Sequence, residues 1–185
     1  MIYVIDHNDS FTHNVVHQLS LFEKVKCTNY DEINNQFLKN ASTIVLSPGP
    51  GSPENYPTTS EIYNKFKGKK RILGICLGFQ QILFCEGAKI VQQKQIYHGF
   101  QSEIKVVSKS SILKYKNKLM VGRYHSLKLK EPFYSQNFDI TMRCAISGSA
   151  MALENKTDKI YGFQFHPESF LTENGNLLIK KILSA

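Results

Sequence analysis

Arg71-Ile72-Leu73-Gly74-Ile75-Cys76-Leu77-Gly78 is the stretch on which the fold turns. Its first five residues form an aliphatic run of the kind found in strands buried on both faces. Residues 77–86 then read as a helix, with Gly87 placed to terminate it. Upstream lies a second such run, Thr43-Ile44-Val45-Leu46-Ser47. It ends in Pro48-Gly49-Pro50-Gly51-Ser52-Pro53, which can neither continue a strand nor enter a helix directly. Ile62, Tyr63 and Phe66 mark a short helix between the two runs. Residues 1–5 and the pair Val25 and Cys27 suggest two more strands. The helix between them places Phe11, Val15, Val16 and Leu19 on one face and can be capped by Asp9 or Ser10. This β-α-β-α order predicts a parallel, doubly wound sheet with right-handed crossovers.

The second half changes character. Segments near 88–92, 102–107, 119–129, 138–144, 149–154 and 160–165 read as strands joined by short turns, partly antiparallel. A last helix over about 172–183 carries Leu177, Leu178, Ile179 and Ile182. No internal repeat, low-complexity tract or linker interrupts residues 1–185, so one mixed α/β domain is expected.

Composition sets the outer limits. A chain of 185 residues is about one domain's length and large enough to build a core without staples. Hydrophobic residues at 42% and charged residues at 21% exclude wholesale disorder. No stretch reaches a membrane span, and the first residues lack a signal peptide's basic start, so a cytoplasmic protein is expected. The formal charge of +8 could suggest nucleic acid, but the basic residues are scattered. Their one dense cluster, Lys67, Lys69, Lys70 and Arg71, falls between a helix and a strand and reads as a solvated turn. Cys27, Cys76, Cys85 and Cys144 show no CxxC pairing, so neither zinc nor a disulfide framework is suggested.

The chemistry is expected at three places. Gly74-Ile75-Cys76-Leu77-Gly78 is G-x-C-x-G at a strand-to-helix junction, the thiol form of a nucleophile elbow. A nucleophile on that sharp turn needs small flanking residues, and the following helix start supplies N–H groups and positive potential. A structural cysteine beside two packing glycines would explain the pentapeptide alone. The second place is Gly162-Phe163-Gln164-Phe165-His166-Pro167-Glu168-Ser169. His166 and Glu168, two residues apart on extended chain, would point the same way, so the carboxylate can orient the imidazole. A thiol needs a base and the base an orienter, so Cys76, His166 and Glu168 form a candidate triad. The third is Ser47-Pro48-Gly49-Pro50-Gly51, a rigid loop beside the elbow at the sheet's carboxyl edge, where open α/β sheets bind ligands.

Together SPGPG, GICLGFQ and GFQFHPES resemble the class I, triad-type glutamine amidotransferases, and the resemblance runs from Met1 to the last helix. The opening Ile5-Asp6-His7-Asn8-Asp9-Ser10-Phe11-Thr12-His13-Asn14 is similar to the start of the glutaminase components of anthranilate synthase and aminodeoxychorismate synthase. So are Tyr124-His125-Ser126-Leu127 and Phe170-Leu171-Thr172-Glu173-Asn174-Gly175. The length fits that branch, since others usually carry a fused synthetase or an extra domain. The resemblance implies a flavodoxin-like three-layer sandwich with a mostly parallel mixed sheet. It also implies Cys76 as nucleophile, His166 as base then acid and Glu168 as orienter. Glutamine contacts would come from Gly49, Pro50, Gly51, Gln80, Ser126 and Leu127, with the Leu77 N–H completing an oxyanion hole. It implies no metal and no cofactor, and its expected partner is a chorismate-using synthase subunit. The chain departs from the pattern at Phe79, where histidine is common, at His7, where asparagine is usual, and at Phe100-Gln101, where a lysine is common.

Two other readings stay open on the residues. A stand-alone thiol hydrolase would share the elbow without needing the SPGPG loop or Gln80. A catalytically silent regulatory module would not need an intact Cys, His and Glu. His7, His13, His17 and His98 read as surface or packing residues, His125 as structural, and Cys85 as an inert packing thiol.

Overall fold

In the computed structural model, which describes residues 1–114 and 118–185, the first half alternates strictly. It runs β1 (Ile2–Asp6), α1 (Thr12–Ser20), β2 (Val25–Asn29), α2 (Asn35–Asn40), β3 (Thr43–Leu46), α3 (Pro57–Phe66), β4 (Arg71–Ile75) and α4 (Leu77–Cys85). Strands then dominate: β5 (Ile90–Gln92), β6 (Phe100–Val106), β7 (Leu119–Arg123), β8 (Leu127–Leu129), β9 (Asp139–Cys144), β10 (Ala150–Asn155) and β11 (Ile160–Phe163). The helix α5 (Gly175–Leu183) closes the chain.

Period-two alternation sends each buried strand into two cores. Ile2 and Val4 of β1, Val45 of β3 and Leu73 and Ile75 of β4 pack under α1 and α5, against Val15, Leu19, Leu178, Ile179 and Ile182. Their neighbours Tyr3, Ile5, Ile44, Leu46 and Ile72 pack on the other face under α2, α3 and α4, against Leu38, Ile62, Tyr63, Phe79 and Ile82. Helices therefore cover both faces of the sheet, which gives three layers.

Among the described residues the main sheet has strand order β2-β1-β3-β4-β11-β10-β9-β6-β7. It is parallel from β2 through β11 and antiparallel from β11 outward. Leu46 of β3 and Gly162 of β11 both pair with Gly74 of β4. The three motifs that follow these strands therefore leave the carboxyl edge side by side.

The departures from the sequence reading have local causes. The helix α2 escapes it because only Phe37 and Leu38 are apolar; Asn34 makes it by accepting hydrogen bonds from the N–H groups of Gln36 and Phe37. The helix α1 begins at Thr12, and the Asp9 carboxylate accepts from Phe11 N–H ahead of it. Segment 119–129 is two strands, not one: it breaks at 124–126, and β8 leaves the main sheet to pair with β5. The last helix starts at Gly175 rather than at 172, because the Thr172 hydroxyl donates to His166 C=O and accepts from Gly122 N–H. Among the described residues, no helix is long and apolar enough to cross a membrane.

Candidate active site

Cys76 sits where β4 turns into α4, with φ 52° and ψ −99°, a region costly for any residue with a side chain. The turn leaves no room on either side. A Cβ at Gly74 would lie 2.4 Å from the backbone of Gly78, and one at Gly78 would lie 2.1 Å from Leu46 C=O. The strain is held by the sheet: Cys76 N–H donates to Phe163 C=O at 2.7 Å. Leu77 opens α4, so its N–H belongs to the first turn, which has no intrahelical acceptor.

His166 and Glu168 lie beyond the end of β11, in a turn rather than in extended chain. Their partnership therefore depends on the turn and not on strand spacing. His166 Nδ1 is 2.6 Å from Glu168 Oε1, and both side chains are almost fully buried. The turn is pinned by His166 N–H donating to Gly122 C=O and by the Thr172 hydroxyl on His166 C=O. The rings of Phe11 and Tyr124 meet the imidazole edge-on at 5.2 and 5.0 Å, restricting its rotation. With Nδ1–H on the carboxylate, Nε2 is left without a hydrogen-bond partner among the described residues. Burial disfavours the imidazolium. The negative charges of Cys76 and Glu168 outweigh it and hold His166 well above the ordinary histidine value.

A cavity of about 570 Å³ opens beside the sulfur. It brings together every expected ligand contact: Gly49, Pro50 and Gly51 from one side, Cys76, Leu77 and Gln80 from the elbow, Ser126 and Leu127 from the break between β7 and β8. His166 and Glu168 are not part of its lining; His166 is only 2% exposed. The N–H groups of Gly49 and Gly51 have no hydrogen-bond partner among the described residues.

Other groups carry no distinct signal in the residue order. Gln164 is fully buried, with its Nε2 3.8 Å from Cys76 Sγ. Its position two residues before His166, in the same motif, was the available clue. His7 is fully buried, the packing alternative of its sequence reading. Its Nδ1–H donates to Ser47 C=O at 3.2 Å, and its Nε2 accepts from the Thr59 hydroxyl at 3.0 Å, so it braces the 47–51 loop. Burial lowers its pKa to about 4. Tyr56, whose ring meets His7 edge-on at 4.8 Å, donates to Pro50 C=O at 2.8 Å. His13, His17 and His98 are exposed, while His125 is buried and bonded within its turn. Among the described residues, no group of three or more His, Cys, Asp or Glu side chains could hold a metal ion.

A strained cysteine at a strand–helix turn, a buried His–Glu pair and a cavity at the carboxyl edge of a three-layer sandwich define a triad-type α/β protein. The chain belongs to the class-I glutamine amidotransferases: the model of that family, "Glutamine amidotransferase class-I", matches residues 3–185. It is 37% identical over 186 residues to anthranilate synthase component 2 of Lactococcus lactis, covering 100% of this chain and 94% of that protein. It is 34% identical over 186 residues to aminodeoxychorismate/anthranilate synthase component 2 of Bacillus subtilis, covering 99% and 95%. It is also 39% identical over 188 residues to the bifunctional protein TrpGD of Thermotoga maritima, covering 99% of this chain but only 32% of that longer protein. A solved structure of a glutamine amidotransferase of Thermotoga maritima superposes with a TM-score of 0.70 over 90% of this chain and 75% of that one. At 19% identity this likeness speaks for the fold.

Proposed function

We propose that residues 1–185 act as one glutaminase domain that hydrolyses L-glutamine to glutamate and passes the ammonia to a chorismate-using synthase subunit. The observation that carries this reading is the strained Cys76 beside the buried His166–Glu168 pair, at the mouth of a cavity lined by Gly49, Pro50, Gly51, Gln80, Ser126 and Leu127. Glutamine binds with its γ-amide at Cys76. The thiolate attacks the amide carbon, and the oxyanion is held by the Leu77 N–H and by N–H groups of the 49–51 loop. His166 protonates the departing ammonia, leaving a γ-glutamyl thioester. The imidazole then draws a proton from water as it attacks the thioester, releasing glutamate and restoring the thiol. Glu168 keeps Nδ1 protonated and stabilises the imidazolium, so the active nitrogen is Nε2.

The partner would make anthranilate or 4-amino-4-deoxychorismate in the cytoplasm; the motifs and the component 2 relatives support both products. Ammonia protonates in neutral water, so hydrolysis without an acceptor would waste glutamine. Docking of the synthase at the carboxyl edge is therefore expected to raise the rate. The test pairs the chain with its synthase partner and compares nitrogen sources. Cys76→Ser should lower glutamine-dependent synthesis by about 10⁴-fold or more while leaving ammonium-dependent synthesis intact. Equal loss with both sources, in a variant that still binds the synthase, would overturn the reading.

A further inference from the structure

His166 and Glu168 reach each other across two planar peptide units, 166–167 and 167–168. Each unit turns as a rigid plate. The carboxylate therefore stays on Nδ1 at 2.6 Å only while both plates keep their orientation. The first is held through its carbonyl: His166 C=O accepts from the Thr172 hydroxyl at 2.6 Å and from Ser169 N–H at 3.2 Å. The second is held from a distant element. Pro167 C=O carries no hydrogen and can only accept, so the Gln18 atom 2.9 Å from it is Nε2. That is the one hydrogen bond to this carbonyl among the described residues. The proline ring fixes φ at 167 but leaves ψ free, and ψ is the angle that turns the second plate.

Gln18 is itself well fixed. It lies on α1, only 8% exposed, and its second NH₂ proton goes to Asn176 Oδ1 of α5 at 2.9 Å. About two helical turns separate it from Phe11, whose ring meets the His166 imidazole at 5.2 Å. One helix thus reaches both the imidazole and the peptide that leads to its carboxylate partner. We propose that Gln18 is a positioning residue for the reaction: by holding the Pro167 carbonyl it keeps Glu168 on His166 Nδ1. The inference rests on the assignment of Cys76, His166 and Glu168 as the working triad. Gln18 does not line the cavity, so it acts on the pair and not on the bound substrate.

The test follows glutamate formation from L-glutamine by the chain saturated with its synthase partner. Gln18→Met keeps the side chain's length and removes the donor. Its kcat should fall about tenfold, the scale of one lost hydrogen bond, with KM within about twofold of the parent value. Gln18→Glu is nearly isosteric, as a carboxylate cannot donate to Pro167 C=O, and serves if the Met variant does not fold. Loss of a merely structural residue also lowers activity, so the deciding readout is a double-mutant cycle with Glu168→Ala. With no carboxylate left to position, Gln18→Met should cost less than about twofold in that background. The same tenfold loss in the Glu168→Ala background, or an unchanged kcat in folded Gln18→Met, would overturn the inference. Failure of the triad itself looks different: Cys76→Ala would then still hydrolyse glutamine, whatever the Gln18 variants do.

Discussion

His166 and His125 are both buried, 2% and 5% exposed, and close enough to feel each other's charge. Their partners are of opposite sign. His166 faces Glu168 and Cys76, which lift it well above the ordinary histidine value against the effect of burial. His125 is pushed down to about 3 by burial and by Arg123. The Arg123 Nε–H donates to His125 Nε2 at 3.1 Å, so Nδ1 carries the proton and donates to Leu127 C=O at 2.7 Å. One ring is thus poised to hold a proton and the other is locked neutral as a brace for the cavity wall. Burial is common to both, and the neighbouring charge decides the role.

The largest expected effect comes from erasing that charge at His166. Glu168→Gln preserves shape but lets an amide take the carboxylate's place. Glutamine hydrolysis should fall by roughly 10²–10⁴, less than for Cys76→Ser. The His166 titration, followed by NMR, should move down towards that of His125. A loss as large as that of Cys76→Ser, in folded protein, would give Glu168 a larger part than orientation.

The converse change sharpens the other half. Arg123→Met removes both the cation and the donor at His125 Nε2. The His125 titration should rise from about 3. Glutamine KM should rise about 3–10-fold through a looser 124–127 turn, with kcat little changed, the scale of one hydrogen bond. A titration that stays put would show that burial alone keeps His125 neutral.

The smallest effect concerns stability. His7, at about 4 in the fold, and His125, at about 3, are neutral in the native state but protonate near 6.5 when unfolded. Each therefore withdraws stability as pH falls below about 6.5, by up to about 1.4 kcal/mol per unit. His166 has the opposite sign: its stabilisation is present below 6.5 and is lost as pH rises through its raised native value. His7→Asn should flatten the acid limb by about 2 kcal/mol between pH 6.5 and 5, read from urea midpoints at each pH. An unaltered slope would show that His7 is not neutral and buried in solution.

Much of this was legible in residue order because the signals are local. Continuous aliphatic runs mark β3 and β4, a thiol between two glycines marks an elbow that only small residues permit, and the two motifs after the successive strands β3 and β4 fall at one edge. Residues 49–51, Leu77, Gln80, Ser126 and Leu127 line one cavity in the structure. What no local pattern contains is the pairing of distant segments. β11 arrives beside β4 after 84 residues, as Gln164 and Gln80 meet across that separation. The charge of a neighbour in space fixes what each histidine does: Arg123 against His125, Glu168 against His166, and Ser47 and Thr59 around His7. Sequence determined which groups could react. Only the tertiary structure decided which were buried together, because desolvation and Coulomb energy depend on distance through space and not along the chain.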